Sequence, residues 1–488
     1  MKTTFRLRTL WVAGALACIL SLTGCSIITS YPSTVGKAQA AFDHGDYAGA
    51  VAQMQKMSPP SSDEALYLTE TGTFQRTAAD YAGSNKSYLR ALDIYREFDS
   101  RATISLRDST QYAASLLLND KAISYRGSFY ERVLLNTFLA VNFLMEGNLE
   151  NARVMVMQAD QRQREAKEEH EKEIEKSREE AQKKNVNSDQ VTAKVRAGFG
   201  DQRAYLEKAG NIYQNAYMFY LSAIIFEMTG EVDNAYILAK RIHDMNPGFL
   251  PVRADLLRYA KQLGRGDEYD RWRSAFGSDV PDTVPAGHGR LVALHGCGSG
   301  PVKEELKVRF PVPLGANRPA TDVTIAVPKF TMRGNPVEAA AVVVGDKVLG
   351  RTQPLMDVEA TAVKDLWDRA MGIAIRQVLR ATGRVLAQEA ARQKGGDLSY
   401  AAMVVAGYVL EQADLRSWIS LPRDLQAFRA TLPAGEYPAR LDLLAHGGAV
   451  IGHIDAGKIT IKEGAITFID ARSIGVRGTA GHAVVPAR

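Results

Sequence analysis

Cys297 and Ser299 stand in LHGCGSG, residues 294–300, the stretch whose residue types could support covalent chemistry. A thiol or hydroxyl on a glycine-rich turn is a candidate nucleophile if a histidine takes its proton, and His288, His295, His446 and His453 are the available bases. A nucleophile elbow places glycine two residues to either side of its serine, whereas Ser299 has Cys297 and Pro301 there. No spacing selects one histidine for Cys297, so a glycine-rich turn between two strands is the simpler reading. His446 and His453 lie in AHGGAVIGH without a third ligand at metal spacing and read as turn histidines. His170-Glu171 lacks the second histidine of a zinc-protease helix, and no glycine-rich phosphate loop carries a lysine. No catalytic residue, metal or cofactor is therefore assigned. In RSWISLPRDLQAFRATLPAGEY, Trp418, Arg416 and Arg423 could line a surface site, but an aromatic anchor in a core explains Trp418 more simply.

Cys25 carries a different chemistry. Lys2, Arg6 and Arg8 precede the apolar run Leu10 to Leu22, too short for a comfortable membrane span and shaped like a signal peptide. The run closes on Leu22-Thr23-Gly24-Cys25, which resembles a bacterial lipobox. The resemblance implies cleavage between Gly24 and Cys25, diacylation of the Cys25 thiol and acylation of the new amino terminus. Several acyl chains, at about 0.8 kcal/mol per buried methylene, make a durable anchor. Ser26 rather than Asp after the cysteine favours the outer membrane, facing the periplasm. Removing residues 1–24 takes three cations and no acids, so the formal charge falls from +5 to +2 and suggests no nucleic-acid partner. Of three cysteines, Cys18 is removed and Cys25 lipidated, so Cys297 has no partner for a disulfide within the mature chain.

The elements that would carry any site are repetitive in the first half. DYAG occurs at Asp46 to Gly49 and again at Asp80 to Gly83, 34 residues on. Glycine, a polar residue, an apolar residue, two more and then alanine recur at Gly45 to Ala50, Gly147 to Ala152 and Gly230 to Ala235. The glycine suits a turn between antiparallel helices, the apolar residue (Tyr47 in the first copy) packs back into the pair, and the alanine suits the closest helix crossing. Pro247, twelve residues after Ala235, suits a helix end. With Phe219, Ala223 and Phe226, and with Ala140, Phe143 and Ala159, these units resemble the tetratricopeptide repeat, whose period is 34. The resemblance implies a helical solenoid over 33–277, after a lipidated tether over 25–32, with a poorly matching unit around Leu118. A charged helical insertion, about 160–200, interrupts it. Within this insertion Asp160 to Asn185 is almost wholly polar, with Glu168–Lys172, Glu179–Lys183 and Glu180–Lys184 four apart in the favourable order. It reads as a solvated arm without a heptad seam, able to contact or space a partner.

After a Pro- and Gly-rich linker at 278–289, residues 290–488 read as an α+β domain. Strand-like runs at 290–294, 305–310, 322–327 and 339–344 precede two helical stretches, about 358–392 and 398–412. Strands return in LPAGEYPARLDLL and GKITIKEGAITFID. The expected fold is thus a tetratricopeptide-like solenoid followed by a sheet or sandwich covered by a helix pair. The lipobox, the repeats, the insertion and the RSW…LPAGEY tail together resemble an uncharacterised family of periplasmic lipoproteins. In that family, genes for lipoproteins resembling penicillin-binding-protein activators are frequent neighbours. The resemblance implies an envelope role: a non-enzymatic scaffold in envelope assembly or cell-wall synthesis, binding an envelope protein or peptide on the concave solenoid face. The alternatives are a cell-wall or lipid hydrolase using Cys297 or Ser299, and a glycan-binding domain stacking sugar on Trp418 or Tyr437.

Overall fold

The computed structural model describes residues 30–105, 123–183, 188–312, 321–409 and 412–487. The signal segment, the cleavage site at Gly24 and Cys25, and most of the unit around Leu118 lie outside these residues.

One turn geometry organises the first half. Helices α1 (Gly36–Asp43) and α2 (Tyr47–Gln55), α3 (Glu64–Thr77) and α4 (Tyr81–Ser105), and α5 (Phe129–Met145) and α6 (Leu149–Lys183) form three hairpins. After α7 (Ser188–Gly198), helices α8 (Ala216–Met228) and α9 (Val232–Met245), then α10 (Pro251–Gln262) and α11 (Gly266–Phe276), form two more. Each first helix ends on a residue with positive φ: Gly45, Ala79, Gly147, Gly230 and Gly264. Each time that residue's N–H bonds the carbonyl three back and the next N–H bonds the carbonyl five back, as at Gly147 to Leu144 and Asn148 to Phe143. This Schellman pattern satisfies the orphan carbonyls of the first helix.

The second helix then needs an N-cap, and the turn supplies it. Asp46, Asp80 and Asn148 each accept the backbone N–H three residues on, at 2.8, 2.9 and 3.1 Å. DYAG is thus a helix-start signature. A Cβ at Gly49 or Gly83 would fall about 2 Å from the capping carboxylate, 1.9 and 2.1 Å respectively, which accounts for the terminal glycine of both copies. Ala50, Ala152 and Ala235 are fully buried at the helix contacts, Tyr47 is half-buried edge-on to Phe42, and Pro247 follows the end of α9.

Ala79 is the exception at these turns, a residue with a Cβ held at φ +61°. The left-handed conformation costs an L-residue roughly 1–2 kcal/mol, against about 0.4–1 for the extra unfolded-state freedom of glycine. Ala79→Gly is therefore expected to raise stability by about 0.5–1 kcal/mol, read as a higher urea midpoint at unchanged slope. A lower midpoint would contradict it.

The second half is a sandwich. Sheet one runs β11 (Arg477–Pro486), β10 (Ala465–Ile474), β1 (His288–Cys297), β7 (Asp424–Pro433), β6 (Gln353–Asp357), with β1 and β10 parallel. Sheet two runs β5 (Lys347–Arg351), β4 (Val337–Val344), β8 (Gly435–Ala445), β9 (Val450–Ile461). Strands β2 (Val302–Val312) and β3 (Thr321–Thr331) form a separate antiparallel ribbon.

The period of two along the strands divides sheet one between two cores. Leu291, Ala293, Cys297, Ile469 and Ala471 face sheet two. Val292, Leu294, Ile466, Phe468, Leu425 and Ala427 point the other way, into one core shared with the helices. That second face meets the first helices of the hairpins: α5 touches β10 and β11, α8 touches β6 and β7, and α10 touches β7. The two halves are therefore not beads on a linker; their main core lies between them.

Three expectations need correction. The helix pair is a single helix, α12 (Val358–Val409), of 52 residues and so about 78 Å long. Glycine costs only about 1 kcal/mol within a helix, so Gly395-Gly396 does not interrupt a segment of this length. Nor does α12 cover the sandwich as a lid: it packs chiefly on β3, α6 and α7. The tether is shorter than expected, because Ser30 caps a helical turn whose Tyr31 is buried edge-on against Tyr67. The insertion, finally, has two parts. Helix α6 runs 35 residues, about 52 Å, with Glu168 and Lys172 about three-quarters exposed. Helix α7 instead buries Val191, Val195 and, just beyond it, Phe199, the last edge-on to Trp367 of α12.

Candidate functional site

The face made by the first helices is the surface a helical repeat would offer to a peptide. Here the chain fills it with its own residues. Between α12 and β7, the segment from Ala413 to Ser420 is irregular and seated against α3 and α5. Trp418 is 3 % exposed, with its ring 5.9 Å from Tyr88 and 5.6 Å from Phe138, both edge-on. Its indole N–H donates to Thr73 Oγ1 at 2.8 Å.

The backbone of this segment forms no ladder, so its N–H groups need other acceptors. Two buried carboxylates supply them. Trp418 N–H donates to Glu131 Oε1 at 2.8 Å, and Ile419 and Ser420 N–H donate to the two oxygens of Glu70 at 2.6 and 3.1 Å. Arg416 ion-pairs with Asp63 and Asp414 and lies over the Tyr125 ring. Lys303 Nζ donates to the Arg416 carbonyl. Backbone capture, an aromatic anchor and flanking charge pairs are what a receptor groove gives a bound peptide, here made within one chain. Trp418 and Arg416 are thus core and interface residues, and Arg423, paired with Asp424, is half-buried beside them.

The seat contains a carboxyl of unusual acidity. Burial pushes Glu70 up from 4.5 to about 7 against the pull of its hydrogen bonds, and burial also pushes Glu359 to about 7. A carboxyl with a raised folded pKa binds more protons folded than unfolded between about pH 4.5 and 7. It therefore favours folding below that window, and this contribution is lost as pH rises through it. Glu70→Gln keeps an oxygen acceptor and cannot titrate. Its midpoint of urea denaturation is expected to fall less than the parent's between pH 5 and 7, Glu359 retaining part of the slope. Parallel pH profiles for the two proteins would refute this.

A second cluster ties the halves together further along. Glu227 of α8 accepts Arg258 at 2.8 Å, Arg429 at 2.8 Å and also Arg290; Asp255 accepts Arg258 and Arg429, each at 2.9 Å. Burial opposes ionisation of Glu227, but the three guanidinium groups outweigh it and hold the carboxyl far below its ordinary range. Helices α8 and α10 thus meet strands β1 and β7 through charge as well as through the shared apolar core.

The LHGCGSG residues fare differently. Cys297 is fully buried in the sandwich; its thiol donates to the Val337 carbonyl at 3.5 Å and accepts from Asn335 at 3.4 Å. Burial, with Asp424 adding, pushes the thiol up to about 11, so it stays protonated near neutrality, the reverse of an activated nucleophile. His295 lies on the same side of β1, with Nε2 2.8 Å from Ser473 Oγ. Burial, helped by Arg472, pushes it down to about 3, leaving the ring neutral. Ser299 is half-buried just after Gly298, whose φ is +69°. His288 opens β1, with Nδ1 bonded to the Ala286 carbonyl. His446, almost fully exposed in the β8–β9 turn, bonds Glu338, and His453 is exposed on β9. Among the described residues, no three His, Cys, Asp or Glu are grouped to hold a metal ion. Tyr437 is half-buried, its hydroxyl bonded across the hairpin to the Pro433 carbonyl.

Glu70, Thr73, Glu131 and Glu227 were missed from sequence. A signal existed: in EALYLTETGTFQRT, Glu70 falls in the buried register with Leu66, Thr73 and Phe74, where a surface glutamate has no place.

No protein-family model matches the chain, and no curated protein matches it.

Proposed function

We propose that the chain is a non-enzymatic scaffold of the cell envelope, anchored to the outer membrane by lipid on Cys25 and facing the periplasm. In this reading it takes part in envelope assembly or cell-wall synthesis. The lipobox supports the anchor; no described helix is long and apolar enough to cross a membrane. The five identical turns support a tetratricopeptide-type solenoid. Its first-helix face is covered by sheet one and by the Trp418 segment, and in this reading the partner is met instead by the arm at the end of α6.

The observation that carries this is α6. Its first half belongs to the core, where Gln163 accepts the Asn215 N–H and Arg162 pairs with Asp99. Its second half continues beyond these anchors, and there Lys167, Glu168, Lys172, Glu175 and Glu179, charges of both signs, are exposed. A partner meeting such a helix is a protein with a polar, charge-complementary surface, and tethering at the membrane raises the effective concentration of each for the other.

Crosslinking in living cells, followed by mass spectrometry, tests it. The intact protein is compared with a version whose residues 167–185 are replaced by a short linker, leaving Arg162 and Gln163 in place. Defined envelope proteins captured by the intact form and lost without the arm are expected. Equal capture by both forms removes the arm from the reading; co-purified glycan or lipid with no protein overturns the scaffold itself.

A further inference from the structure

A small cleft lies where the α3–α4 turn meets strands β10 and β11, walled in part by Arg76, Ala79, Tyr81, Asp470, Arg472 and Thr479. Its volume is about 10 Å3, room for one particle of about water's size. The charges around it do not balance. Arg76 is ion-paired with Asp470. Arg472, only 7 % exposed, has neutral acceptors: its Nη1 donates to the Gly296 and Ser473 carbonyls at 3.1 and 2.7 Å and also to that of Gly298, and its Nη2 donates to that of Ser420 at 3.4 Å. Among the described residues no carboxylate forms a salt bridge with it. The Nε–H groups of both Arg76 and Arg472 are buried without an acceptor.

Two guanidinium groups and one carboxylate leave one positive charge in a place water barely reaches, and an uncompensated buried cation is costly. Burial, together with Arg333 and Arg76, already depresses Arg472 to about 10. Asp470 cannot serve both cations equally, because Arg76 and the Tyr81 hydroxyl engage it. The cleft admits one small particle, the two arginines that carry the unsatisfied donors are among its lining residues, and the missing charge is a single negative one.

We propose that this cleft binds one monatomic halide, chloride under ordinary conditions, held by Arg76 and Arg472. Water would fill the space but leave the charge; phosphate and sulfate are too large for it. The anion links the α3–α4 turn to β10 and β11, so its occupancy adds to the cohesion of the helical and sheet halves.

Thermal unfolding of the lipid-free mature chain is measured in sodium gluconate, chloride and bromide at matched ionic strength. Nonspecific salt effects rank gluconate as the most stabilising of the three. A bound halide reverses that order, raising Tm by about 1–3 °C in chloride and bromide, with saturation as halide concentration rises. The shift is expected to vanish in Arg472→Met. A bromide anomalous peak in crystals of the same protein, placed in the cleft, is the second expected result, and it decides the matter if Arg472→Met does not fold. Gluconate giving the highest Tm at every concentration, or no bromide in the cleft, overturns the proposal.

Discussion

Trp418→Ala is expected to destabilise the protein by about 3–5 kcal/mol, the range for emptying a well-packed aromatic site. The ring sits between Tyr88 and Phe138, and its N–H bonds Thr73, so truncation opens a void among residues of both halves and strips a donor from a buried hydroxyl. Thr73 Oγ1 retains contacts with Tyr88 Oη and the Thr69 carbonyl, so Trp418→Phe, which keeps most of the volume, is expected to cost only about 1–2 kcal/mol. Urea denaturation followed by far-UV circular dichroism reads both. The pair also decides between roles: a tryptophan stacking on sugar at the surface would leave stability within about 0.5 kcal/mol when removed. A silent Trp418→Ala would mean that the segment does not occupy the groove. A large loss shared by signals from helix and sheet would show one cooperative unit.

That cooperativity marks the limit of what the sequence discloses. Local chemistry was legible in part: the 34-residue recurrence of DYAG and the recurrent glycines predict turns between helices because a positive φ is needed there, whereas the capping of the third N–H by the DYAG aspartate emerged only from the structure. Strand alternation was legible too, but it says only that two faces differ. On β10, Ile466 and Phe468 alternate with Ile469 and Ala471, and every residue of the strand is buried. Such a strand announces that both faces are covered without naming the covers. The relation between the halves depends on residues hundreds of positions apart, such as Glu70 with Ile419 or Arg76 with Asp470, and no local period encodes such pairs. The candidate site was missed for the same reason. A groove free to take a partner and a groove filled by its own chain have the same helical pattern; the difference lies in where Trp418 goes.

Glu227→Ala is expected to have an effect as large, about 3–5 kcal/mol, through charge instead of volume. Arg258, Arg290 and Arg429 converge on this carboxylate, with Asp255 the second acceptor, so the cluster already holds three cations against two anions. Removing Glu227 leaves three buried guanidinium groups against one carboxylate, and the Tyr259 hydroxyl loses its acceptor as well. Arg290→Met moves the balance the other way, to two against two, and keeps an apolar chain of similar length, so it is expected to cost less than half as much. The decisive measurement is the double variant. If unbalanced charge is the cause, Glu227→Ala combined with Arg290→Met unfolds at higher urea than Glu227→Ala alone, a coupling of about 1–3 kcal/mol. If the loss arose from packing around the α8 terminus, the two costs would add. Because α8 and α10 belong to one half and β1 and β7 to the other, the same cycle measures how much of their union is electrostatic. That share should weaken little with salt, since buried pairs are poorly screened, whereas the exposed Glu168–Lys172 pair of the arm should lose its small contribution.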